Sequence, residues 1–106
     1  MGIVSILLYK PKEGKEEELK KLIKSHVPLL RGLGLITFSQ TYIARSVNGT
    51  YVEIFEWASP DSVEKAAKHP DIQALREKFM NVCDYQTLSS LEESNEEFPR
   101  FNSVNL

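Results

Sequence analysis

The side chains best suited to chemistry in this sequence are His26, Glu53 and Trp57, with His69, Tyr42, Phe38 and Phe79 as candidates to surround them. His26 follows Leu19, Leu22 and Ile23 and precedes Leu30 at steps of three and four residues, which places it on the apolar face of a helix. An imidazole partly withdrawn from water there can stay neutral near pH 7 and act as a general base. The same ring would also serve as a plain helix-end residue, bonded to a carbonyl that Pro28 frees. Trp57 offers a flat apolar face and one N–H, a fit for an aromatic ligand or for simple packing. Glu53 shares a strand face with Phe55 and Trp57, because alternate residues of a strand point the same way. A carboxylate in that place can act as a base or orient His26, or else pair with Arg45 at a subunit seam. Tyr42 has the parity of Phe38 on its strand and a phenol to donate. His69 precedes Pro70, where it either caps a helix or lines a site.

The elements that must position these residues are legible from periodicity. Ile3 to Tyr9 is short, β-branched and apolar on both alternating faces, a central strand. Pro11 and Gly14 end it. Glu16–Glu18 early and Lys20, Lys21 and Lys24 later flank the apolar stripe of the first helix, in the order its dipole favours. Pro28 is expected to end or kink that helix near Val27. Leu35 to Ser46 reads as a long second strand and Thr50 to Trp57 as a third, joined by Asn48-Gly49, a strong hairpin signal. Ser59-Pro60-Asp61 starts a short helix, broken at His69-Pro70. A further helical segment follows with Ile72, Leu75, Phe79 and Val82 on one face and Cys83 on its last turn. Tyr85 to Leu91 is expected as the last strand, and the acidic stretch Glu92–Glu97 as a solvated connector.

The resulting order is β-α-β-β-α-β, a ferredoxin-like α+β fold with a four-stranded antiparallel sheet and its helices on one face. Residues 1–92 form the expected domain and 93–106 a C-terminal tail. The outer sheet face carries apolar residues, so a second copy is expected to cover it and form a homodimer.

Composition narrows the partners. The chain has 106 residues, 13 basic against 15 acidic, for a formal charge of −2. No basic field exists to hold nucleic acid or an anionic membrane. The apolar run at Ile3–Tyr9 is far shorter than a membrane span and lacks a secretory leader, so a cytoplasmic address is expected. One cysteine, two histidines and no nucleotide-binding loop give no sign of a metal or other cofactor.

Three segments resemble the antibiotic biosynthesis monooxygenase (ABM) family of the dimeric α/β-barrel superfamily. They are Lys10-Pro-Lys-Glu-Gly-Lys-Glu-Glu-Glu-Leu19, Tyr51-Val-Glu-Ile-Phe-Glu-Trp57-Ala-Ser-Pro-Asp61 and His69-Pro70, and the likeness runs over residues 3 to 92. It implies two ferredoxin-like subunits that pair their sheets, with a small-molecule cavity between sheet and helices in each. Haem-degrading members carry an asparagine on the first strand, absent here, and a ligand histidine whose place falls near Arg76. The activity implied is cofactor-independent monooxygenation of a small aromatic or quinone-like metabolite. His26, Glu53 and Trp57 would be its catalytic residues, and Tyr42, Phe38, Phe79 and His69 would contact substrate. The alternatives are a metabolite isomerase using the same base and a non-catalytic small-molecule-binding dimer.

Overall fold

The computed structural model describes residues 2–106. Its elements are β1 (Ile3–Pro11), α1 (Glu16–Gly32), β2 (Tyr42–Arg45), β3 (Tyr51–Trp57), α2 (Pro60–Lys68), α3 (Pro70–Val82), β4 (Cys83–Tyr85) and β5 (Asn102–Ser103). The strands form one antiparallel sheet in the order β4-β1-β3-β2-β5. The fold is α+β, with three helices and one open five-stranded sheet rather than the expected four strands.

Register sorts the side chains into two faces. Opposite each other on β1 and β3 stand Ser5 and Phe55, Leu7 and Glu53, and Tyr9 and Tyr51. These point towards the helices, where Tyr9 and Tyr51 pack with Leu19 and Ile23 of α1 and Leu75, Phe79 and Val82 of α3. A contiguous cluster joins Phe55 and Trp57 to Val27, Leu30, Leu35, Ile36, Ala66 and Ile72. On the outer face, Leu8 and Val52 are covered by Leu91, whereas Val4 is 63% and Ile6 42% exposed.

Four local departures from the sequence expectations have physical causes. Helix α1 runs through Pro28 to Gly32. Pro28, Lys24 and Ser25 lie on its exposed side, so water can reach the Lys24 carbonyl that Pro28 leaves without a donor, while buried Val27 and Leu30 hold the last turns down. The second strand is four residues rather than twelve. Its expected first half leaves the ladder after one bridge from Ile36 to Trp57, because side chains take over the bonding. Thr37 and Ser39 hydroxyls donate to Glu56, and Arg31 donates to the Thr37 and Ser39 carbonyls.

The last strand of the expected four begins at Cys83, which leaves the helix in extended conformation rather than completing it. It ends at Tyr85, and Leu88–Ser90 forms a 3-10 turn tied by the Ser90 hydroxyl to the Thr87 carbonyl. The acidic stretch is not wholly solvated. Glu93 is buried, accepting from the Ser46 hydroxyl at 2.6 Å and the Val47 amide at 3.1 Å. Beyond it β5 pairs with β2, and Val104 and Leu106 reach the main core.

The turn at Asn48-Gly49 closes through Ser46 N–H to the Thr50 carbonyl, with Gly49 at φ 91°, where a side chain would be strained. Ser59 caps α2 by accepting from the Ser62 amide, and Pro60 fills the first helical position.

Candidate functional site

The site grows from the inner face of β3. Glu53 is 0% exposed, and β3 presents it beneath α1. Its Oε1 accepts two hydrogen bonds, one from the Tyr9 hydroxyl at 2.8 Å and one from His26 Nδ1 at 2.8 Å. An ionised carboxylate can only accept, so against it Nδ1 is the donor, and in the neutral ring the lone pair then sits on Nε2. The other carboxylate oxygen, Oε2, is buried without a partner among the described residues. Burial, then the adjacent Glu53, push the Tyr9 phenol well above its usual range, so Tyr9 remains a donor.

Aromatic rings fix the imidazole. Phe55 and Phe79 meet it edge-on, each with its centroid 5.7 Å away. Phe79 in turn stacks on Tyr9 at 4.9 Å. Trp57 packs edge-on against Phe55 at 5.1 Å and donates its indole N–H to the Ser5 hydroxyl at 2.7 Å. The donor of Trp57 is therefore occupied, and only its ring is free to meet a ligand.

Beside this assembly lies a cavity of about 360 Å³, lined by His26, Trp57, Phe79, Arg76, Tyr85 and Leu7, with Tyr9 and Met80 completing the wall. Its size suits one small molecule. Burial raises the Tyr85 phenol, while the Arg76 charge pulls the other way.

The structure thus gathers His26, Glu53, Trp57 and Phe79 in one place. It does not bring in the other three candidates. Tyr42 stands opposite Ile54 in the ladder, so it shares the outer face with Ile54 and Ile6. Phe38, 89% exposed, sits in the bend between Ile36 and β2. His69 caps α3, its Nδ1 accepting from the Asp71 amide at 3.1 Å, and lies beside Leu33, Lys65 and Lys68 instead. Glu53 does not meet Arg45, which pairs with Glu16 at 3.3 Å and lies over the Tyr51 ring.

Tyr9 and Arg76 were not singled out by sequence reasoning as site residues. The signal for Tyr9 was its parity with Leu7 on β1. For Arg76 it was the placement of a charge three and four residues from Phe79 and Ile72, beside the apolar stripe of α3.

No family model matches the chain, and no curated protein matches its sequence. Among solved structures it is similar to the solution structure of a hypothetical protein from Arabidopsis thaliana, at 19% identity and a TM-score of 0.59. The likeness covers 76% of this chain and 78% of that one, and at this identity it is a likeness of fold alone.

Proposed function

We propose that this chain is a cofactor-independent monooxygenase of the ABM type, acting on a small aromatic or quinone-like metabolite. The observation that carries the reading is the bond from His26 Nδ1 to buried Glu53, which leaves Nε2 as the basic nitrogen of a residue lining an apolar cavity. Nε2 would take a proton from an activated CH₂ of the substrate, and the Glu53 carboxylate would balance the imidazolium that forms. The resulting carbanion adds to O₂, forming a C–O bond, and the peroxide recovers the proton from His26. Loss of the second C–H proton and of hydroxide from the peroxide then leaves a carbonyl and one water. Both oxygen atoms of O₂ are accounted for, and the substrate supplies the electrons.

The test is oxygen uptake with anthrone as substrate. Uptake above the uncatalysed rate is expected, with His26→Gln lowering it about 10²- to 10⁴-fold, the usual contribution of a positioned base. Equal uptake by wild type and His26→Gln would remove the reading. Exchange of substrate C–H protons without oxygen uptake would point to the isomerase alternative.

A second reading is a non-catalytic small-molecule-binding dimer. It is favoured by the fact that Trp57 and Tyr9 both spend their donors inside the protein. It predicts saturable binding with neither uptake nor exchange.

Both readings take the fold as a ferredoxin-like subunit that pairs its sheet with a second copy. Val4 and Ile6 support this, as neighbouring apolar residues left open on the outer face. Native mass spectrometry should give two chains for the wild type and one for Ile6→Glu; one chain for both would remove the dimer.

A further inference from the structure

We infer that Arg76 is an anion anchor, and that the cavity beside His26 takes a small planar molecule bearing one carboxylate. This rests on the cavity of the proposed function but not on its oxygen chemistry. Three arginines are half-buried. Arg31 donates to the Thr37 and Ser39 carbonyls, and Arg45 donates to Glu16. Arg76 lines the cavity and has no hydrogen-bond acceptor or ion-pair partner among the described residues.

Its own helix supplies none. The residues one turn away are Ile72, Gln73, Phe79 and Met80, none of them acidic. The cavity wall holds no Asp or Glu, since Glu53 lies behind Tyr9 and His26 and is already engaged by both. A guanidinium carries five N–H donors in a planar fork that matches the two oxygens of a carboxylate. The remaining wall, from Leu7, Tyr9, Trp57, Phe79, Met80 and Tyr85, is largely aromatic ring and aliphatic side chain, with the Tyr85 phenol as a further polar group. Such a site complements a flat apolar body with a single negative group at one edge.

The experiment compares naphthalene-1-carboxylate with its neutral near-isostere naphthalene-1-carboxamide by calorimetric titration at low ionic strength. The carboxylate should bind the wild type at least about tenfold more tightly, the scale of a hydrogen bond to a charged group. Arg76→Met keeps the apolar stem and helix propensity. It should bring the two ligands to within about twofold, chiefly by weakening the carboxylate. His26→Gln should retain the wild-type preference, which separates Arg76 from the only other nitrogen base on the wall. Equal binding of both ligands by the wild type, no binding of either, or a preference that survives Arg76→Met would each overturn the anchor. Failure of the oxygenase reading is seen separately. A protein that discriminates through Arg76 yet neither consumes oxygen nor exchanges substrate protons keeps the anchor and loses the chemistry.

Discussion

His26 Nδ1 and Glu53 Oε1 lie 2.8 Å apart, joining the middle of α1 to the centre of the sheet across 27 residues of sequence. The pair is enclosed, with side-chain exposures of 8% and 0%. It is also imperfectly satisfied, because Glu53 Oε2 has no partner among the described residues. A buried polar atom left unpaired costs about 1–3 kcal/mol, so the pair is held at some cost to stability. A costly arrangement at a cavity wall is expected where a site needs it.

His26→Leu should therefore destabilise the fold by about 3–5 kcal/mol, because it strands the Glu53 carboxylate in the core. The double variant His26→Leu/Glu53→Leu should recover part of that loss, because it removes the carboxylate's charge but leaves the buried Tyr9 hydroxyl without its acceptor. Urea denaturation of the four proteins of this cycle would measure both effects. A single His26→Leu variant as stable as the wild type would mean that the carboxylate carries no charge that depends on the imidazole.

Alkaline stability should be limited by buried groups of the core, the Tyr9 and Tyr51 phenols and the Cys83 thiol. The Tyr9 phenol is raised well above its usual range by burial and by Glu53, and Tyr51 is pushed up to about 12 by burial and by its 2.6 Å bond to Glu16. A phenol raised by folding holds its proton where the unfolded chain has released it. Its contribution is then complete below the usual tyrosine value of about 10 and is lost as pH rises from there towards 12. Urea midpoints should begin to fall near pH 9, where the unfolded chain releases the Cys83 proton that burial holds up to about 11, and fall further above about 10, less steeply in Tyr51→Phe. A midpoint unchanged up to pH 11 would contradict the assignment.

Much of this frame was legible in residue patterns, and the losses have two physical causes, side-chain competition and register. Strand β3 and its face of Tyr51, Glu53, Phe55 and Trp57 followed from alternation, and α1 with His26 inward followed from its apolar stripe. Both signals are local. The failures came where a side chain outcompeted a local preference. Thr37 to Thr41 has β composition, yet Arg31 and Glu56 take its hydrogen bonds and draw it out of the sheet. That shortening leaves Phe38 in a bend. Tyr42 is lost from the site for another reason: its phase against β3 puts it on the outer face, and a single strand's sequence does not reveal that phase. The meeting of Tyr9, His26 and Glu53 depends on register between distant segments, and no spacing encodes it.

The C-terminal segment should be held by one acid. Glu93 accepts from Ser46 and Val47, and the Ser46 hydroxyl contributes most to holding its carboxyl below the usual range. A depressed carboxyl stabilises the fold above the ordinary carboxylate range and ceases to do so as pH falls through its lowered value. Glu93→Ala should accelerate amide exchange at Val104, whose N–H bonds to Ile43, without changing exchange along β1 and β3. Uniform acceleration throughout the sheet would show instead that the segment is part of the global folding unit.

Trp57 gives a final prediction, because its N–H is bound to Ser5 while its ring faces the cavity. Ser5→Ala would strand that N–H and should cost about 1–3 kcal/mol. In the Trp57→Phe background the same change should cost less than about 0.5 kcal/mol, since no donor remains to be stranded. Ligand binding should follow a different rule. A tryptophan whose donor is already occupied contributes ring contact, so Trp57→Phe should weaken naphthalene-1-carboxamide binding by less than about tenfold. A loss of a hundredfold or more would mean that the indole leaves Ser5 to bond the ligand directly. Ser5→Ala would then bind more tightly than the wild type, so calorimetric titration of these two variants separates the two roles of Trp57.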